Sequence, residues 1–280
     1  MVIVTMYVDS HAHLFREDFG DDVDDVIARA FDAGVDRIVV PGTNLQTSRE
    51  AVDLAQRYGG IYACVGIHPH EASHFGTEAL KEIDSMLGLA NVVGVGEIGL
   101  DYHYDFSPRE KQLAAFREQL GIACERNMPV VVHTRDSLGE TLAIVNEFAG
   151  HNPLWRRGAD PEMVNPSPAR GVFHCFTGSA ADADRLQAAG FLVSYPGIVT
   201  FKKSPVVETL KHIGHKRILL ETDSPYMAPV PLRGGKNEPA NIVHIGRKVS
   251  EILEVPESEV ARATSHNANV LFRFDQVKIN

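Results

Sequence analysis

Eight short runs rich in Val and Ile, at 4–8, 37–40, 61–65, 92–95, 129–132, 171–173, 191–194 and 217–220, alternate along this chain with helical patterns. Runs so short and so uniformly apolar suit strands buried on both faces, the setting inside a parallel sheet covered by helices. Helical periodicity fills the intervals at 22–33, 45–58, 78–87, 109–126, 138–148, 181–188 and 205–213, and a final helix is expected at 242–253. Parallel neighbours need crossover connections, and eight βα units let the sheet close on itself. The expected fold is therefore α/β, a TIM-like (β/α)8 barrel. At 280 residues the chain matches the roughly 250 that such a barrel uses, so residues 1–280 are expected to form a single domain.

Local punctuation agrees with that order. Ser107-Pro108-Arg109-Glu110 offers a serine cap with proline at the first helical position, and Gly34, Gly190 and Gly214 stand where helices should end. The longest irregular stretch, 150–170, contains Trp155-Arg156-Arg157 and is expected to form a flap over the fifth-to-sixth repeat.

Charge narrows the function classes. With 37 acidic against 27 basic residues and a formal charge of -10, the chain must hold any anionic substrate with local cations, which argues against a sequence-independent duplex coater. Cys64, Cys124 and Cys175 each fall in an apolar stretch and form no Cys-x-x-Cys pair, as expected of reduced thiols in a cytoplasmic protein. The start of the chain lacks a basic segment and a cleavage site and reads as a first strand. No apolar run approaches membrane-spanning length.

Metal-type residues recur where the expected strands end: His11 and His13, Glu97, His133, His174 and Asp223. Residues two apart in an extended chain point to one side, so His11 and His13 can reach one ion, with Asp9 as an outer acceptor that orients them. Glu97 lies among glycines in Gly94-Val95-Gly96-Glu97-Ile98-Gly99, where the backbone can approach its neighbours and a carboxylate has two oxygens with which to bridge two cations. His133 and His174 close apolar strands, the end at which barrel active sites form. Asp223, after the eighth strand, has the chemistry of a metal ligand and general base. Singly, each has a structural reading, as a capping or salt-bridged glutamate or an internal histidine bonded to a neighbouring strand. Five strand ends together require such explanations five times over.

Val8-Asp9-Ser10-His11-Ala12-His13-Leu14, Gly66-Ile67-His68-Pro69-His70, Gly96-Glu97-Ile98-Gly99-Leu100-Asp101, His174-Cys175-Phe176-Thr177-Gly178, Glu221-Thr222-Asp223-Ser224-Pro225 and Asn237-Glu238-Pro239 resemble the TatD family of metal-dependent deoxyribonucleases over nearly the whole chain. The resemblance implies an amidohydrolase-type barrel with His11, His13 and Asp223 on one metal, His133 and His174 on the other, and Glu97 bridging. It implies hydrolysis of DNA phosphodiester bonds, commonly as a 3′–5′ exonuclease on single strands or frayed ends, with two divalent ions. Mg²⁺ is the expected cellular ion. The imidazole-rich shell also suits Mn²⁺, Zn²⁺ or another transition metal.

Substrate contacts are expected around this core. The resemblance places His68 on the phosphate side, whereas His70 reads equally as a loop histidine held by hydrogen bonds. Arg135 suits either a phosphate fork or a salt bridge, and Lys202-Lys203, Arg233 and Lys236 suit either phosphate or a solvated face. Tyr102, Phe176, Tyr195 and Tyr226 lie near the expected rim. One or two of them are expected to stack on bases, with Phe176 the one to pack in its loop. Asn237 is expected to cap the last helix and support the floor of the site. Two features depart from the family pattern: the long 150–170 flap, and His103, which adds an imidazole near Glu97 suited to a surface or substrate-side role. A related metal hydrolase acting on lactones, amides or organophosphates would share most ligands, but in many such enzymes a carboxylated lysine bridges where this chain offers Glu97. A non-catalytic barrel would be expected to have lost Asp223 or a ligand histidine, and neither is lost.

Overall fold

A computed structural model of the chain describes residues 6–153, 155 and 169–276. Eight parallel strands, β1 (Tyr7–Asp9), β2 (Val35–Pro41), β3 (Ile61–Val65), β4 (Val92–Asp101), β5 (Val130–Arg135), β6 (Gly171–Phe173), β7 (Phe191–Tyr195) and β8 (Ile218–Leu220), follow one another in one sheet in chain order. The helices between them are α1 (Arg16–Phe19), α2 (Val23–Asp32), α3 (Leu45–Arg57), α4 (Thr77–Met86), α5 (Arg109–Glu125), α6 (Leu138–His151), α7 (Ala180–Ala188) and α8 (Val207–Ile213), and α9 (Ile242–Leu253) and α10 (Glu257–Phe272) follow β8. This is the (β/α)8 order expected from the sequence, and the strands are buried almost throughout because helices cover a parallel sheet. By internal contacts the chain divides into two units, each with four strands.

The first unit comprises residues 1–40, 175–187 and 192–269. In it β8 meets β1: Ser10 N–H donates to the Leu220 carbonyl at 3.0 Å, Asp223 N–H to His11 at 2.9 Å and His13 N–H to Ser224 at 2.8 Å. Those bonds join the last strand to the first, and they continue past the strand ends into the segments that carry His11, His13 and Asp223. Helix α9 approaches β1 closely because Gly246 has no side chain. A Cβ there would stand 2.3 Å from the Tyr7 hydroxyl. Helix α10 was not legible as a helix, since its buried face includes Thr264 and Asn267 among small residues. Asn267 earns its burial by donating to the carbonyls of Lys216 and Ile218 at 3.0 and 2.9 Å, which secures the entry to β8.

The second unit comprises residues 41–174, 188–191 and 270–280. Its β4 runs to Asp101, six residues beyond the expected end, so Glu97 lies within the strand and not after it. The register shifts between Val95 and Ile98 against β5, a bulge that turns Glu97 out of the regular alternation. Glycine is required on either side of it: a Cβ at Gly96 would stand 2.7 Å from that of Val131, and one at Gly99, with φ +147°, 2.0 Å from the His133 carbonyl oxygen. Two buried glutamines of α5 hold the neighbouring strand ends. Gln119 accepts from Ile67 N–H at 2.7 Å and donates to its carbonyl at 3.1 Å, while Gln112 accepts from Asp101 N–H at 2.9 Å.

Ser107 does not cap α5 as expected. Its hydroxyl donates to the His70 carbonyl at 2.7 Å and accepts from Ser73 N–H at 3.0 Å, ties between loops that leave none for the helix. Most of the expected flap, residues 154 and 156–168 with Arg156 and Arg157, lies outside the described residues, as do residues 4 and 5 of the first expected strand. Trp155 is buried and donates through Nε1 to the Met128 carbonyl at 2.9 Å.

Candidate metal centre

In the first unit, His11 and His13 leave β1 with their Nε2 atoms 3.2 Å apart, each 3.8 Å from Asp223 Oδ1. Nitrogens and oxygens bound about 2.1 Å from one ion stand about 3.0–3.4 Å apart at octahedral or tetrahedral angles. The two imidazoles already have that spacing, and the carboxylate is a few tenths of an ångström beyond it. Asp223 has φ +53°, a left-handed conformation that aspartate tolerates better than most residues and that clusters at functional sites. Asn237 fixes the backbone on both sides of it, donating to the carbonyls of Thr222 and Tyr226 at 2.8 and 2.7 Å. It therefore supports the floor of the site rather than capping α9.

Asp9 orients the site through backbone rather than imidazole. Its carboxylate accepts from His11 N–H at 3.3 Å and from Thr222 N–H and Oγ1 at 2.9 and 2.6 Å, so the segments after β1 and β8 share one anchor. Burial pushes the Asp9 carboxyl up to about 7, opposed by those Thr222 bonds. Glu221 plays a comparable part unforeseen from the sequence: it accepts from Cys175 N–H at 2.6 Å and Ser194 Oγ at 2.5 Å, holding the segments after β6 and along β7. Tyr226 is 58 % exposed, its ring 6.2 Å from that of His13. Lys202 is exposed, and Arg233 lies over the Phe201 ring. Phe176 packs in its loop as expected, but Tyr195 is fully buried and offers no face for stacking.

In the second unit, three imidazoles converge on one oxygen. Glu97 Oε1 is 2.8 Å from His174 Nε2, 3.0 Å from His133 Nδ1 and 3.4 Å from His68 Nε2, and the His133 and His174 nitrogens are 3.4 Å apart. These spacings again suit ligands of one ion, and His68, Glu97 and His133 form a group fit to hold a metal. The far nitrogen of His133 meets Asp101 Oδ2 at 3.0 Å, the carboxylate–histidine pairing that would fix which nitrogen is offered to an ion. That oxygen also meets His70 Nε2 at 2.9 Å, while Oδ1 accepts from the N–H groups of His103 and Tyr104. Burial raises the Asp101 carboxyl, but the bonds from His133 and His70 outweigh it and hold the group well below the usual range. Burial lowers His68 to about 4 against the pull of Glu97, so it stays neutral.

In the sequence Asp101 stands out only as the end of the Gly96-Glu97-Ile98-Gly99-Leu100-Asp101 motif. The signal for it is spacing: residues 97, 99 and 101 fall at period two, visible once the strand is carried past 95. Arg135, the strand partner of Asp101, is exposed and lies 4.8 Å over the Tyr104 ring. Tyr102 donates to Glu140 at 2.6 Å beneath the Arg109 guanidinium, which occupies its hydroxyl and leaves its ring partly covered. His103 is exposed and pairs with Asp136, away from the ligand cluster.

A (β/α)8 sheet with two clusters of imidazole and carboxylate at its strand ends defines a metal-dependent hydrolase. A family model described as TatD related DNase matches residues 8–273, and the chain belongs to that family. The metal-dependent hydrolase YabD of Bacillus subtilis, itself uncharacterised, is 38% identical over 96% of this chain and 100% of its own length. The 3'-5' ssDNA/RNA exonuclease TatD of Pectobacterium carotovorum is 35% identical over 95% of this chain and 98% of its own. Among solved structures, the TatD homologue YJJV of Escherichia coli superposes with a TM-score of 0.85 at 28% identity, covering 97% of this chain and 99% of that one.

Proposed function

We propose that this chain hydrolyses the phosphodiester bonds of single-stranded DNA or frayed ends, releasing nucleotides from the 3′ end with two divalent cations, Mg²⁺ in the cell. One observation carries the reading: in a chain of this family, three imidazole nitrogens lie within 3.4 Å of a single Glu97 oxygen. The exonuclease named among the relatives supports the substrate class and direction. We assign His11, His13 and Asp223 to one cation, His133 and His174 to the other, and Glu97 to both.

When bound, the two cations would lower the pKa of water and offset the charge that builds on the phosphate. Asp223 accepts the proton of the attacking water as the water oxygen bonds to phosphorus, and the scissile P–O bond breaks with the departing oxygen taking a proton from solvent. His68, neutral at physiological pH, accepts the His70 backbone N–H at Nδ1 and so carries its proton on Nε2, beside Glu97 Oε1, from where we assign it to a phosphate oxygen bound next to that carboxylate. Arg135 and Lys202 supply positive charge that a chain of net charge -10 lacks globally, and Tyr102 and Tyr226 border the bound strand. The whole chain acts as one catalytic domain. The buried thiols of Cys64 and Cys124 support a reducing cytoplasm. No helix among the described residues is long and apolar enough to cross a membrane.

The test is cleavage by chelator-treated protein resupplied with Mg²⁺ or Mn²⁺, comparing end-labelled single-stranded DNA, duplex DNA, RNA, a lactone and a phosphotriester. Terminal nucleotides released from single-stranded DNA are the expected product. Internal fragments alone would overturn the exonuclease reading, and turnover of only the lactone or phosphotriester would overturn the nuclease reading.

A further inference from the structure

The loop after β4 turns on Asp101, whose Oδ1 accepts from His103 N–H at 2.9 Å and Tyr104 N–H at 3.1 Å. That turn brings Tyr104 and Phe106 beside His70. The two rings stack on each other, centroids 5.3 Å apart and planes 29° from parallel, and the His70 ring meets Phe106 at 4.8 Å and Tyr104 at 5.5 Å. Arg135 adds its guanidinium 4.8 Å from the Tyr104 centroid. Tyr104 is 39 % exposed and Phe106 65 % exposed, so two large aromatic rings remain open to solvent beside polar chemistry. Isolated exposed apolar residues need no explanation. A stacked pair pinned by a histidine and topped by a cation is a built surface.

Its position gives it a use. His70 and His133 share the same Asp101 oxygen, at 2.9 and 3.0 Å, so His70 and Asp101 link the aromatic pair to the Glu97 cluster. A polyanion gains little from that acidic neighbourhood through charge alone, whereas a nucleobase presents a neutral π-face that binds aromatic rings whatever its identity. Arg135 is exposed on the same surface and can meet the adjoining phosphate. We infer that Tyr104 and Phe106, with Arg135, form a stacking platform for an unpaired nucleobase next to the scissile phosphate. The inference rests on the nucleic-acid reading above and adds to it residues that hold the strand without reading its sequence.

The test needs no variant at its first step. Wild-type protein loaded with Mn²⁺ is given oligonucleotides that differ only in having ordinary or abasic sugars at the two 3′-terminal positions. Loss of the bases should lower kcat/KM on the order of tenfold, mainly through KM. Phe106→Ala and Tyr104→Ala should reduce that discrimination to about twofold, and Tyr104→Phe, which keeps the ring, should retain it. In parallel, 2-aminopurine in the 3′-terminal nucleotides of a cleavage-resistant phosphorothioate strand should be quenched by wild type and by Tyr104→Phe, but far less by either alanine variant.

Equal use of abasic and ordinary ends by wild type overturns the platform while leaving the nuclease reading intact, as does full discrimination by the alanine variants. A wild-type protein that cleaves no nucleic acid overturns the nuclease reading and the platform with it.

Discussion

Asp223 holds a left-handed backbone, places Oδ1 3.8 Å from two imidazole nitrogens, and is braced on both sides by Asn237. Its geometry therefore comes from backbone bonds that do not involve its carboxylate, and Asp223→Asn should keep the fold. Loss of a base and a charged ligand should lower single-turnover cleavage of end-labelled DNA at least about a hundredfold, while DNA affinity changes less. Near-normal cleavage by this variant would remove Asp223 from the proton-accepting role. Glu97 calls for a different measurement, because its assigned duty is to hold both ions. Glu97→Gln should reduce bound metal at both sites and His133→Ala mainly at one, read as metal per chain after dialysis. Unchanged stoichiometry in Glu97→Gln would reject the shared ligand. The ligand types were legible at this scale because His, Asp and Glu declare their chemistry in the sequence. Asp101 and Glu221 were not, since their bonds to His70, His133, Cys175 and Ser194 span 27 to 46 positions.

Helix α5 shows how an element positions chemistry from behind. Gln119 satisfies both backbone groups of Ile67 from a fully buried site, just before His68 enters its loop. Gln119→Met should keep the volume but leave a buried N–H and a buried C=O without their partner. The expected cost is about 2–4 kcal/mol, measured by urea unfolding. A loss below about 0.5 kcal/mol would mean that water or a shifted backbone takes over those bonds. The strand and helix order was largely legible because parallel strands must be apolar on both faces and covering helices must be amphipathic. The errors share a cause. Gly96, Glu97 and Gly99 lack strand propensity and so end the apolar run of β4 at residue 95 in the sequence, yet pairing with β5 carries the strand to Asp101. α10 is not legible because its buried face holds Thr264 and Asn267, and the partners of Asn267, Lys216 and Ile218, lie far off in sequence. Ser107 had the right spacing for a cap, but local spacing could not reveal the bonds to His70 and Ser73 that claim its hydroxyl.

The whole molecule has to fold around buried carboxylates and imidazoles gathered at its strand ends. Glu97, Asp101 and Asp223 are all buried in a chain that already carries a net charge of -10, so bound cations should stabilise the native state as well as complete its chemistry. Ligands that bind only the folded chain add RT ln(1 + [L]/Kd), about 2.7 kcal/mol at a hundredfold excess over Kd. For a domain of this size that corresponds to a rise in Tm of about 5–10 °C. Thermal unfolding of chelator-treated protein should therefore move upward with the logarithm of added Mn²⁺, and Glu97→Gln should flatten the slope. The same titration with NaCl in place of Mn²⁺ separates site binding from general screening, because monovalent salt at matched ionic strength should reproduce only a small part of the rise. A Tm indifferent to Mn²⁺, or one that climbs as steeply in Glu97→Gln as in wild type, would show that the two ligand clusters are not coupled to folding through metal.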